Sequence, residues 1–142
     1  MIADEMHLTR PNGQVWTRIG RGKFSSIFGP IWTHFSDERP RYAILVEDKH
    51  NNGANRAHGG LIMSFCDEAL GLAAHAELGP DLLLTISFDC QFIGTVSIGD
   101  FVEVDATVVK ATRSFAFLHG TCTVEGNVVA VCSGVWKRTG AK

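Results

Sequence analysis

Hydrophobic positions along this chain follow two different rhythms, and Gly79-Pro80 divides them. Before it, residues 61–78 carry apolar side chains on nearly every side, including Leu61, Ile62, Phe65, Cys66, Ala69, Leu70 and Leu72. No proline interrupts this run, and a glycine followed by a proline is a helix stop, so the pattern predicts a helix over 61–78. At about 1.5 Å per residue such a helix is roughly 27 Å long. A helix apolar almost all round lies inside a core or a membrane. Ser64, Asp67, Glu68, Gly71 and His75 form one narrow polar stripe at spacings of three and four, and its charges argue against a membrane span.

After Pro80 the rhythm shortens. Residues 81–93, 101–112, 114–124 and 127–137 are rich in Val, Thr, Ile and Phe, and turn residues such as Gly94, Gly99-Asp100 and Glu125-Gly126-Asn127 bound them. These are strand and hairpin signals, and the short connections predict antiparallel neighbours in chain order. Residues 41–49 read as a further strand leading to the helix. Residues 24–35 are aromatic-rich and broken by Gly29-Pro30, which suits a packing cluster better than a flap over a pocket. Residues 36–40 are a polar break, and residues 1–23 read as a loose arm or a short helix. One buried helix needs a sheet that curves around it, so the class is α+β.

Composition narrows the function without naming it. At 142 residues the chain is expected to form one domain over 1–142, with 1–40 as its N-terminal arm. A net charge of −2 and the lack of a basic run speak against nucleic-acid binding. The acidic, apolar-poor beginning is not a secretory signal, and no segment reads as a membrane span, so a cytoplasmic location is expected. Cys66, Cys90, Cys122 and Cys132 form no CxxC pair and are expected to be buried free thiols. His50 and His58 have no third ligand nearby in sequence, so no metal is expected.

The candidate chemistry sits at the start of the helix. The first amides of a helix have no internal partner and carry partial positive charge. Glycines at 59 and 60 let a ligand approach that backbone, where a carbonyl oxygen would be polarised as in an oxyanion hole. Asp67, about two turns on, is then expected to bring a carboxylate to the carbonyl carbon of the same ligand. A donor for the oxygen and a carboxylate for the carbon outline acyl transfer or hydrolysis.

Asn52, five residues, His58-Gly59-Gly60, six residues, and Asp67 together resemble the pattern of the hotdog-fold acyl-CoA thioesterases. The branch this is most similar to is that of the phenylacetate-pathway and 4-hydroxybenzoyl-CoA thioesterases. The resemblance spans about 41–137 and includes Thr85-Ile86-Ser87-Phe88, the Gly99-Asp100 turn and Gly134-Val135-Trp136. It implies a hotdog fold, a long central helix wrapped by a curved antiparallel sheet of five to six strands. It implies hydrolysis of an aryl- or medium-chain acyl-CoA to the free acid and CoA, with no cofactor, by a homodimer that pairs into a homotetramer.

Residue by residue, the resemblance implies that the Gly59 amide holds the thioester oxygen and that Asp67 is nucleophile or general base. Asn52 and His58 orient the thioester or water, and Thr85, with Ser87, sits near the catalytic carboxylate of the neighbouring subunit. Gly60, Ser64 and Arg56 are expected at the substrate, with Arg56, Lys110 or Arg113 meeting a CoA phosphate. The family often has glycine where this chain has Asn55, a residue that also tolerates positive φ. Two other readings fit the same scaffold. One is a non-catalytic acyl-CoA binding or sensing protein; the other is an enoyl-CoA hydratase using His58 with Asp67. Phe88, Phe92 and the 24–35 segment suggest an apolar acyl pocket.

Overall fold

The computed structural model describes residues 1–20 and 22–140; residues 21, 141 and 142 of the expected 1–142 unit lie outside that description. The elements run β1 (Ile2–Ala3), β2 (His7–Thr9), β3 (Val15–Ile19), α1 (Lys23–Phe28), β4 (Ile31–Ser36), β5 (Arg39–Leu45), a 3-10 turn (Asp48–His50), α2 (Gly59–Leu78), β6 (Leu82–Phe92), β7 (Phe101–Ala111), β8 (Phe115–Val124) and β9 (Asn127–Thr139). Among the described residues they form one nine-stranded sheet in the order β1-β2-β3-β4-β5-β7-β8-β9-β6, antiparallel throughout.

The long helix is the centre of this arrangement. It begins two residues earlier than the apolar pattern suggests, because His58 caps it and both glycines join its first turn. Leu61, Ile62, Phe65, Cys66, Ala69, Leu70, Leu72 and Ala74 are buried, and β5 to β9 all contact the helix. Opposite them stand Val102 and Val104 of β7, Leu118 and Cys122 of β8, and Ala130 and Trp136 of β9. Burying each large side chain of this set contributes about 1.5–3 kcal/mol.

The sheet departs from the sequence reading in two ways. First, it has nine strands, not five or six, because the first 20 residues add a meander. Arg10 and Gln14 close a hairpin around Gly13, which has a φ of 84°. The Pro11-Asn12-Gly13 turn was the signal for it. Leu8 and Trp16 are fully buried, and with Trp32, Ala43 and Phe101 they form a second apolar cluster. Arg10 stacks on Phe101 at 4.3 Å. The 24–35 segment divides between the two clusters: Phe28 and Ile31 join the main core, and Trp32 the second.

Second, β6 does not pair with β7. It lies at the edge beside β9, while β7 joins β5. The eight residues between β6 and β7 can extend roughly 27 Å. Crossing from one edge of β7-β8-β9-β6 to the other takes about 14 Å at strand spacing. A short connection was therefore long enough to cross over, and hairpin pairing was not forced. Among the described residues, β6 is left with one hydrogen-bonding edge unpaired and with Leu82, Leu84, Ile86 and Phe92 exposed.

Candidate active site

The loop before α2 is built by asparagine side chains. Asn51 Oδ1 accepts the amides of Gly53 at 2.9 Å and Asn55 at 3.0 Å. Asn52 Oδ1 accepts the amide of Ala54 at 2.8 Å, which leaves its Nδ2 group as a donor. Asn55 takes a φ of 58°, so the turn forms without a glycine there. The loop is then fastened at both ends. The Ala57 amide donates to the Val96 carbonyl and the His58 amide to the His50 carbonyl, each at 2.9 Å. His50 is buried, accepts the Glu47 amide on Nδ1 and donates from Nε2 to the Phe28 carbonyl at 2.6 Å. Lys49 donates to the Gly29 carbonyl at 2.6 Å, so α1 is tied to the same loop.

His58 spends its Nδ1 on the helix itself, accepting the Gly60 amide at 2.8 Å. The Leu61 amide donates to the His58 carbonyl at 2.9 Å. Two of the first helix amides are therefore satisfied within the chain. The Gly59 amide is the first-turn donor left without a protein acceptor among the described residues, at the positive end of a 20-residue helix. Gly59 lines a cavity of about 240 Å³ with Asn52, Arg56, Phe92, Thr95 and Val129. A Cβ at Gly59 would stand 3.4 Å from the Phe92 ring.

The carboxylate occupies a different cavity. Asp67 is half-buried on the polar stripe of α2, and Thr85 Oγ1 of the same chain donates to its Oδ1 at 2.7 Å. A β-bulge makes this contact possible. The β6–β9 register slips between Thr85 and Ser87, so Leu83 and Thr85 face the helix before the bulge, whereas Phe88 and Cys90 face it afterwards. Asp67 and Thr85 line a cavity of about 380 Å³ with Leu72, His75, Leu82 and Trp136. The Trp136 indole lies against Gly71 and takes Phe88 edge-on.

The two half-sites do not meet within one chain. Gly59 and Asp67 are eight residues apart on one helix, about 12 Å along its axis. A carbonyl carbon and its oxygen are little more than 1 Å apart. Within one chain the Gly59 amide and the Asp67 carboxylate are therefore separated by far more than a carbonyl bond. The Thr85 hydroxyl, expected from a neighbouring subunit, serves the carboxylate of its own chain. Ser87, beyond the bulge, lines a separate cavity with Asp89, Lys110, Phe117 and His119. Ser64 is half-buried and lines neither half-site; Gly60 gives its amide to His58. The Arg113 carbonyl accepts from Arg138 near the β7–β8 turn. Trp136, Leu72 and Leu82 are lining residues that sequence reasoning did not single out; Trp136 ends the strand motif Gly134-Val135-Trp136 that it did quote.

Comparisons with known proteins identify the family. A family model described as the thioesterase superfamily matches residues 54–131, which holds Gly59, Asp67 and Thr85. The Pseudomonas aeruginosa protein named "Putative esterase PA0474" is 30% identical over 112 residues, covering 78% of this chain and 84% of that protein. Among solved structures, a mutant of the phenylacetic acid degradation protein PaaI from Thermus thermophilus superposes with a TM-score of 0.71. It is 26% identical and covers 81% of this chain and 97% of its own. The smu.793 protein of Streptococcus mutans, solved bound to acetyl CoA, gives a TM-score of 0.66 at 25% identity, covering 70% and 80%.

Proposed function

The chain belongs to the thioesterase superfamily and has its hotdog fold, and from that premise we propose that it hydrolyses acyl-CoA thioesters at a site shared by two copies of the chain. The observation that carries this reading is the Asp67 carboxylate held by the Thr85 hydroxyl at 2.7 Å in a cavity walled by Leu72, Leu82 and Trp136. Carboxylates are rarely placed on an otherwise apolar helix unless they are paired or used. Thr85 occupies one oxygen, which leaves the other to a water or to the thioester carbon.

The oxyanion donor comes from the second copy. Two antiparallel α2 helices related by a two-fold axis bring Asp67 of one level with Gly59 of the partner subunit when the axis passes the midpoint residue, Met63. Met63 is 39% exposed, although it lies on a helix that is otherwise largely buried. The unpaired edge of β6, with Ile86 57% exposed, supplies the strand pairing for such a dimer. The exposed Phe115, Phe117 and Val109 give two dimers a face on which to form a homotetramer.

In this arrangement the thioester oxygen accepts the Gly59 amide of the partner subunit, with Asn52 Nδ2 beside it. Asp67 either attacks the carbonyl carbon, giving an acyl anhydride that water then hydrolyses, or deprotonates the attacking water; in both the C–S bond breaks, the CoA thiolate leaves and the acyl group departs as the free acid. Arg56, in the Gly59 cavity, is placed to meet CoA phosphates. The acyl group points toward Leu72, Leu82 and Trp136, which suits an aryl or medium-chain group. The hydratase reading is weaker, because His58 Nδ1 is committed to the helix cap and stands a half-site away from Asp67.

Thiol release from phenylacetyl-, benzoyl-, hexanoyl- and palmitoyl-CoA, with wild type beside Asp67→Ala, tests the reading. Turnover of the aryl or medium-chain esters that vanishes in the variant is expected. Binding of the esters without release from any of them would move the assignment to a non-catalytic acyl-CoA binding protein.

A further inference from the structure

We propose that Cys66, Cys122 and Cys132 form a buried site for one soft d10 metal ion of the zinc, cadmium or copper(I) class. This inference is independent of the thioesterase reading. All four cysteines of the chain come from different elements: Cys66 from α2, Cys90 from β6, Cys122 from β8 and Cys132 from β9. The sheet register gathers them. Cys90 and Cys132 stand opposite each other across β6 and β9, and Cys132 stands opposite Gly120 across β8 and β9.

Three thiols then converge on one point beneath the helix. The Sγ atoms of Cys66, Cys122 and Cys132 all lie within 4.8 Å of one another, and the Cys66–Cys122 pair is 3.1 Å apart. All three are buried and none is in a disulfide. A metal about 2.3 Å from each of three sulfurs holds them about 4 Å apart. The trio reaches that spacing by movements of under about 1 Å.

Gly120 makes the room. A Cβ there would stand 2.8 Å from the Cys132 sulfur and 2.7 Å from Leu70 Cδ1, so any other residue would press into the sulfur cluster. Soft thiolate donors select zinc and copper(I) over hard cations.

A disulfide accounts for the geometry less well. It would use two sulfurs, require the closest pair to close from 3.1 Å to about 2.05 Å, and leave the third thiol unexplained. Metal binding uses all three. A divalent ion displaces three thiol protons to solvent and leaves a net charge of −1 on the cluster, so affinity rises with pH. Cys90 is half-exposed and stands outside the trio, opposite Cys132 across β6 and β9. Because Cys66 directly precedes Asp67, an ion here also fixes the turn of α2 that carries the carboxylate.

The test uses the full, reduced protein titrated with cadmium. A thiolate-to-cadmium charge-transfer band saturating at one ion per chain is expected, with a higher melting temperature and weaker binding at lower pH. Cys122→Ala and Cys132→Ala should each lower affinity roughly tenfold or more. A missing band in the wild type would overturn the site whatever the variants do. So would a band that both folded variants retain at full affinity, or thiols lost without bound metal, which would identify a disulfide.

Discussion

The Gly59 cavity and the Asp67 cavity lie on the same helix and are made in opposite ways. The first is made of backbone. Asparagine side chains fold the loop, His58 caps the helix, and the donor left over is a main-chain amide whose position depends on no rotamer. The second is made of side chains. A mid-helix carboxylate is oriented by a hydroxyl from an edge strand, between the buried Leu72 and Trp136 and the exposed Leu82. A donor that must meet developing charge gains from rigidity. A carboxylate that must attack or deprotonate gains from one fixed oxygen and one free. The separation of about 12 Å between them, by helix geometry, is what the proposed two-subunit site rests on.

The largest effects come from removing either half. Asp67→Asn is expected to lower kcat/KM by about 10³-fold while leaving the fold intact, read as thiol release beside circular dichroism. Gly59→Pro removes the amide at a position that suits proline, with His58 already extended before it, and sets a ring against Phe92, where a Cβ would stand 3.4 Å away; a loss of roughly 10²–10³-fold is expected. Mixing the two variants is the sharper measurement. Random dimers would restore about a quarter of wild-type turnover, because half of the dimers carry one intact shared site. A mixture as inactive as its components would place the whole site in one chain.

Met63→Lys comes next. It puts two ammonium groups beside the proposed two-fold axis and should convert dimer to monomer by size-exclusion chromatography. Turnover should fall about a hundredfold, the cost of losing an oxyanion donor. A fully active monomer would refute the shared site. Thr85→Val should cost roughly tenfold in kcat, as loss of one charge-assisted hydrogen bond, with Thr85→Ser close to wild type. Loss in both variants alike would mean that shape, not the hydroxyl, matters. The smallest effect is expected at Ser87, beyond the bulge. Ser87→Ala should change kcat/KM less than twofold, and a larger loss would place that outer cavity in the reaction after all.

Much of the fold could be read from local pattern. The apolar run ending at Gly79-Pro80 marked α2 to within two residues, and β-branched runs between Gly-rich turns marked β7, β8 and β9. The N-terminal strands were missed because three short strands carry only one or two alternations each, too few to outweigh the polar residues between them. The position of β6 was missed because pairing partners depend on where a connection crosses, not on its length. Within the site, Asp67 and Gly59 stood out by residue type and spacing. The role of His58 as a cap, and that of the bulge in turning Thr85 toward Asp67, depend on backbone geometry that leaves no distinct mark in residue order.

The sequence by itself determined the long buried helix, its glycine start, its single polar stripe and the family pattern built on them, because each depends on residues a few positions apart. The tertiary structure decided what distant residues do together. It paired Thr85 with Asp67 across 18 positions and drew Cys66, Cys122 and Cys132 to one point. It also set the Gly59 amide and the Asp67 carboxylate about 12 Å apart along one helix. Contacts of that kind are fixed by sheet register and by the rise of a helix, and both appear only once the chain has folded.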